Sequence, residues 1–290
     1  MNWDDVRIFL AIARNGQILG AARSLGLNHA TVARRLTALE VALGSKLFTR
    51  RTNGSELSGE GERFLVHAER MESAMLAASE AAGADSLIDG TVRVGAPDGF
   101  GVAFLAPRLG ELTERHKGLR IELVPVPRVF SLSRREADIA VTLERPREGR
   151  LVARKLTDYR LGLYAAQHYL SRHGTPASLD DLAAHRLVGY VEDLLYTASL
   201  DYTAEFLKDW HSSLAVSSAM GQTEAVRAGA GIGILHAFMA PDTGLIPVLP
   251  AHTLIRSYWT VVHEDLRSIR RVALVADFLA EIVARDRAIF

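Results

Sequence analysis

Apolar positions recur every three to four residues through the first part of the chain. Val6, Phe9, Leu10 and Ala13 share one face of a helix predicted over 3–15, which Gly16 ends. Ala21, Ala22 and Leu25 mark a short second helix, Gly26 a sharp turn, and Val32, Leu36 and Leu39 a third helix. Two short helices meeting at a glycine turn predict a helix-turn-helix within 20–40. Asn28 stands where its side chain can cap the later helix. His29, Thr31, Arg34 and Arg35 lie off the apolar stripe, free to meet base edges or phosphates. An ordinary helical hairpin with a solvated arginine face has the same spacing.

Beyond Gly44, residues 45–57 read as a wing with Leu47 and Phe48 turned inward and Arg50 and Arg51 outward, towards phosphates. From Glu60 the pattern lengthens. Phe64, Ala68, Met71, Met75, Ala78 and Ala82 follow at alternating steps of four and three, a heptad seam that predicts a dimerising helix. A helix packed on its own domain is the plainer reading of so few heptads. Residues 83–90, GADSLIDG, read as a hinge.

After the hinge, strand and helix alternate. Strands are predicted at 91–95, 119–126, 138–143, 161–165, 187–191, 214–217, 231–235 and 258–262. Helices are predicted at 101–116 and 131–137, with a closing helix from 266 towards 290. This is α/β architecture behind a helix-rich N-terminal domain.

Charge sharpens the first domain. The chain holds 34 Lys and Arg against 34 Asp and Glu, yet 23–51 carries Arg23, Arg34, Arg35, Lys46, Arg50 and Arg51 against Glu40 alone. Such a local footprint suits phosphate binding. Double-stranded DNA is therefore the expected partner.

Phe9, the Ala21-Ala22 pair, Leu25, Val32, Leu36, Leu39-Glu40, Leu43-Gly44, Leu47-Phe48, Arg50, Leu57 and Gly61 fall at the spacing of the LysR-type transcriptional regulators, whose N-terminal domain this stretch resembles. Gln17 and Leu19 replace the family's usual Ser and Thr, Asn28-His29 its Ser-Gln, and Ala33 a later Ser. The phrases TVRVGAPDGFGVAFLAPRL, READIAVTLERP and AVRAGAGIGIL resemble the same family's effector-binding domain, which has the fold of periplasmic solute-binding proteins. The resemblance implies a winged helix-turn-helix at 1–59, a dimerising linker and hinge at 60–90, and a two-lobed domain at 91–290. Lobe 1 would take about 91–161 and 258–290, and lobe 2 about 162–257, with crossings near Leu161 and Ser257. It also implies a tetramer, through pairing of the effector domains.

In open α/β sheets ligands gather where strands end and helices begin. Pro97, Asp98, Gly99, Phe100 and Ser131 are the candidates on one lobe, and Ser217, Ser218 and Gln222 on the other. Arg128, Arg145 and Arg147 are candidate partners for a ligand carboxylate. A small organic effector, with carboxylates among the options, is expected over a metal ion or nucleotide. Asp98 acting only as a helix cap is an equally good reading of that residue.

Other chemistry finds little footing. There is no cysteine, so disulfides, thiolate sites and thiol switches are excluded. The ten histidines show no metal spacing. The glycines at 229, 231 and 233 miss the dinucleotide fingerprint, since Ile234 stands where a glycine is needed. No nucleophile elbow appears, no cofactor is expected, and no segment approaches the ~20 apolar residues of a membrane span. The expectation is a cytoplasmic transcriptional regulator without catalytic activity. The alternative is a cytoplasmic solute-binding or enzyme module with an appended helix-turn-helix.

Overall fold

The computed structural model describes residues 2–51, 54–82, 88–126, 128, 130, 132, 136–146, 149–241 and 243–290; for 50, 51, 76, 77 and 79–82 it describes the backbone alone. The chain divides into two compact units. The first takes Met1–Ser86 with Ser131–Glu136 and Asp265–Arg270, and the second takes the remainder.

In the first unit, α1 (Trp3–Asn15) begins with a reciprocal cap: Asn2 accepts from the Asp5 N–H at 2.9 Å while Asp5 accepts from the Asn2 N–H. Gly16 ends it in the left-handed conformation, φ 67°. Then come α2 (Ile18–Leu25), α3 (His29–Leu43), a hairpin of β1 (Phe48–Arg51) and β2 (Gly54–Leu57), and α4 (Gly59–Ala82). Helix α1 is buried on two sides. Ile8, Ala11 and Ile12 pack with Ala21, Ala22, Val32 and Leu36, while Val6, Phe9 and Leu10 pack with Leu39, Leu47, Leu65 and Ala68. One helix therefore fixes both the helix-turn-helix and the hairpin, through apolar area removed from water.

The heptad seam of α4 is partly consumed by this packing. Phe64 sets its ring edge-on to Phe9 at 5.0 Å, Ala68 is fully buried, and Met71 packs on the same cluster. Met75, by contrast, is 45% exposed. Arg14 adds a bidentate pair with Glu72, at 3.1 and 2.5 Å, joining α1 to α4.

The second unit is built on one eight-stranded mixed sheet. Its strands are β3 (Asp89–Ala96), β4 (Gly118–Pro125), β5 (Ile139–Thr142), β6 (Leu151–Ala166), β7 (Leu187–Gly189), β8 (Ser212–Ala215), β9 (Ile232–His236) and β10 (Leu245–His263), in the order β4-β3-β5-β10-β6-β9-β7-β8. The flanks are parallel: β3 pairs β4 and β5, and β7 pairs β8 and β9. The centre is antiparallel, where β6 and β10 run beside each other from Leu245↔Ala166 to His263↔Leu151. The two flanks with their helices make two lobes, and the long strands pass through both. Helical segments α5 (Asp98–Phe100) and α6 (Ala106–Arg115), joined by a π-helical stretch Gly101–Leu105, lie in lobe 1; α7 (Gln167–His173) and α8 (Ala219–Arg227) lie in lobe 2, and α9 (Arg270–Arg285) closes the chain.

Two elements depart from the expected pattern. The strands expected at 161–165 and 258–262 are the ends of elements three to four times that length, 16 and 19 residues. Pro247 and Pro250 argue against a strand in the early part of β10. The structure accommodates them with a register break between Val248 and Thr253, where Leu249 takes φ 48°. The helix expected at 131–137 lies mostly outside the described residues; those described there, Leu132, Glu136 and Ala137, carry no helix.

Gly61 tests the hairpin's seat on α4, because a Cβ there would stand 2.0 Å from the Leu47 carbonyl oxygen. Gly61→Ala should cost about 3 kcal/mol, the scale of a forced overpacking. Denaturant titration beside the parent checks this, and an unchanged midpoint refutes it.

Candidate nucleic-acid interface and interlobe cleft

Helix α3 starts where Asn28 accepts from the Ala30 N–H at 2.8 Å, so this side chain is engaged as a cap. His29 and Arg34 are exposed, and Thr31 is half-buried. Thr37 and Ala38 continue the exposed face one turn on; the sequence reading passed over them, although they follow Arg34 at helical spacing. Arg35 does not stand free. Its guanidinium lies 3.2 Å from Asp4 and 3.9 Å from Asp5, at the start of α1.

The basic footprint is thereby narrower than the residue count. Glu40, the lone acid of 23–51, is buried, accepts from the Leu47 N–H at 2.9 Å and holds Lys46 at 2.6 Å. Arg23 and Arg34 remain exposed. The side chains of Arg50 and Arg51 lie outside the described residues, although their backbone forms the end of β1.

In the second unit the predicted effector residues come together, largely with one another. Asp98, at the start of α5, is buried and accepts from the Ser218 hydroxyl at 2.7 Å and the Met220 N–H at 3.1 Å. Ser218 also caps α8 by accepting from the Gly221 N–H. Gly99 approaches lobe 2 so closely that a Cβ would lie 3.1 Å from Ala219 Cβ and from Met239 Sδ. Gln222 is buried, with its amide donating to the Val216 carbonyl at 3.0 Å. Phe100 belongs to an aromatic core, 4.5 Å from Tyr258 and 5.1 Å from Phe104 between ring centroids. Ser217 is half-buried, and Ser131 and Arg147 lie outside the described residues.

A cavity of about 430 Å³ opens beside this contact, of a size suited to a small molecule. Pro97, Arg128, Phe130, Val141, Leu143, Glu144, Arg145 and Pro146 line it from lobe 1; Tyr196, Thr197 and Ala198 line it from lobe 2. Of the described effector candidates, only Pro97 is on its wall. The arginines proposed as carboxylate partners fare better, since Arg128 and Arg145 both line it, Arg128 over the Phe130 ring and Arg145 over Trp259. Sequence reasoning missed Tyr196 to Ala198, which sit in an irregular segment without periodicity.

Charge near Asp98 is tightly controlled. Burial first, and the Asp98 charge second, hold the Tyr196 hydroxyl well above its usual pKa. Burial likewise raises Tyr159 and Tyr258, whose rings stack at 4.1 Å. His236 stacks on Tyr159 at 5.1 Å, and burial pushes its pKa down to about 4 against a smaller opposing pull from Asp98. It is a neutral imidazole at ordinary pH. Among the described residues no group of three or more metal-ligating side chains occurs, and no helix is long and apolar enough to cross a membrane.

A helix-turn-helix with a hairpin wing, joined to a two-lobed sheet domain with a cleft, defines a ligand-responsive DNA-binding protein. Residues 3–62 match the family model described as bacterial regulatory helix-turn-helix protein, lysR family, and residues 85–284 match LysR substrate binding domain. The chain belongs to the LysR family of transcriptional regulators. It is 29% identical to the transcriptional regulator CrgA of Neisseria meningitidis serogroup C (strain 8013), covering 97% of this chain and 96% of that protein. It is 26% identical to the transcriptional activator TtdR of Escherichia coli (strain K12), covering 95% and 92%. The solved structure of CrgA from Neisseria meningitidis covers 97% of this chain and 98% of its own, with TM-score 0.60 and 26% identity. These relatives are named as regulators and not as enzymes, and the chain is a regulator with a DNA-binding and an effector-binding domain.

His236 makes the second unit's stability depend on pH. Its folded pKa lies below the unfolded value of 6.5, so the unfolded chain binds more protons between 6.5 and about 4. The contribution is fully present above pH 6.5 and is lost as pH falls to about 4, on the order of 3 kcal/mol. His236→Phe keeps an aromatic ring on Tyr159 and should flatten the unfolding free energy over that window. Parallel pH curves for parent and variant would exclude this role.

Proposed function

We propose that this regulator acts in the cytoplasm as a homodimer or higher oligomer, reading DNA with α3 and taking a small organic carboxylate into the cavity between Pro97, Arg145 and Tyr196. The observation that carries the ligand reading is the cavity itself, which pairs apolar walls with Arg128 and Arg145. Two guanidinium groups on a wall that is apolar apart from Thr142, Glu144, Tyr196 and Thr197 suit an amphipathic anion.

For DNA, the exposed starting turn of α3 supports His29 and Thr31 as base-edge readers, with Arg34 on phosphate. Asn28 serves chiefly as the cap and Arg35 chiefly as a strut to Asp4. Arg50 and Arg51 remain proposed phosphate contacts from the wing. Dimerisation through α4 would set two recognition helices about 34–36 Å apart, as half-sites one helical turn apart require. Met75, 45% exposed, is the seam position that supports this reading, because Phe64, Ala68 and Met71 already pack within their own domain.

Arg34→Ala should weaken binding to operator and random duplexes alike and lower the log–log salt slope by about one. A fluorescence titration at three salt concentrations reads both, and a selective loss on operator alone would move Arg34 to the base-reading set. Changing His29 or Thr31 should instead alter the preferred sequence in a selection from random duplexes.

Met75→Glu should separate dimers without unfolding the domain, since Met75 is outside its core. Sedimentation should show a smaller species with operator affinity at least tenfold lower. A variant that sediments and footprints like the parent excludes the α4 stripe as the dimer contact.

A further inference from the structure

A second polar contact joins the lobes, on the wall of the cavity. Glu144 follows β5 in lobe 1, and its Oε1 accepts from the Thr197 hydroxyl, the Ser199 N–H at 3.1 Å and the Ser199 hydroxyl at 2.7 Å, all in lobe 2. Three donors converging on one carboxylate oxygen form a carboxylate-binding arrangement, with charge-assisted bonds stronger than neutral ones. Glu144, Arg145 and Thr197 all line the cavity. Arg145 lies over the Trp259 ring and has no carboxylate within ion-pair distance among the described residues.

We propose that Glu144 is a built-in competitor for the effector, its carboxylate holding the Thr197 and Ser199 donors that the effector's carboxylate takes over on binding. The proposal rests on the reading of this cavity as the site of a small carboxylate. An incoming anion meets Arg145 and Arg128 on the lobe 1 wall and, across the cavity, donors already satisfied by a like-charged group. Binding therefore requires exchange. Glu144 must leave its hydrogen bonds, and its charge opposes the ligand until it does. The apparent affinity is lowered by the fraction of chains in which the seat is free.

The exchange also changes how the lobes are joined. Before binding, Glu144, fixed to lobe 1 through its own backbone, ties the lobes by hydrogen bonds to lobe 2; afterwards the same donors hold a diffusible ligand, and the tie on that edge is gone. The bonds of Asp98 to Ser218 and Met220 remain as a separate contact between the lobes. A neutral ligand of the same shape cannot take over these donors with comparable strength, so the arrangement selects for charge.

The test uses the full chain, benzoate as the probe and benzamide as its uncharged counterpart, with affinity read by calorimetry. Glu144 is exposed, so E144A removes no core packing. E144A should bind benzoate at least tenfold more tightly than the parent while benzamide changes little. Exchange of the Ser199 amide proton should be faster in ligand-free E144A than in the parent and slow again on adding benzoate. A198W, which fills the cavity, should abolish benzoate binding. Loss in A198W without a gain in E144A overturns the competitor and leaves the cavity reading standing. Benzoate binding that survives A198W overturns the cavity reading and the competitor with it. Equal gains for benzoate and benzamide in E144A overturn the exchange of carboxylates, and benzoate binding detectable in neither parent nor E144A overturns it too.

Discussion

The pairing of β6 with β10 is the constraint on which the ligand-binding unit depends. Both strands run through both lobes, paired from Leu245↔Ala166 to His263↔Leu151. Lobe 1 attaches through β5 on β10 and lobe 2 through β9 on β6. Opening the lobes widely would bend a hydrogen-bonded ribbon and break ladder bonds, at the cost of leaving its buried backbone groups unpaired. The ribbon yields most readily where its register already breaks, after Val248 and after Tyr258. Leu249, a bulky residue at φ 48°, marks the first of these breaks as a place where the surrounding structure maintains local strain.

Beside this ribbon one buried carboxyl side chain is held by uncharged donors. Among the described residues Asp98 accepts from two uncharged donors, Ser218 and Met220, and burial holds ring groups near it neutral: Tyr196 by raising its pKa and His236 by lowering it. A cation at Asp98 would make the contact a buried salt bridge, whose desolvation cost can exceed its Coulombic gain. Hydroxyl and amide donors satisfy the carboxylate with less desolvation, and they are directional. They fix where α5 meets α8.

How much of this was legible in sequence depended on whether the signal was local. The helix-turn-helix was, since glycines at 16, 26 and 44 and an apolar period of three to four are local marks of helix ends and faces, and all three glycines take positive φ at helix ends. The heptad spacing of α4 was legible too, but spacing does not say against what a face packs: Phe64 and Ala68 meet Phe9 and its neighbours in their own domain. The full length of β10 was hidden by Pro247 and Pro250, which ordinarily end strands. At the cleft, the strand-to-helix rule singled out Asp98 and Ser218 one by one, while their mutual hydrogen bond, across 120 residues of chain, has no trace in composition or period. Tyr196 to Ala198 carry no local mark at all.

The energies set what a ligand can do. A hydrogen bond to a charged group contributes about 1.5–3 kcal/mol net, whereas reversing a population from 1:99 to 99:1 needs about 5.5 kcal/mol of differential binding. A single bond of this kind is therefore smaller than a full switch, and several of the two bonds to Asp98 and three to Glu144 must change together to reach one. The β6–β10 ribbon, with ladder pairing on both sides of its two register breaks, is far outside that range. A small ligand in the cavity can thus rearrange the polar contacts of Asp98 and Glu144 but not the ribbon between the lobes. The response to a ligand must then be a limited rotation of one lobe edge about a maintained spine, and its amplitude is set by how many of those carboxylate contacts the ligand replaces.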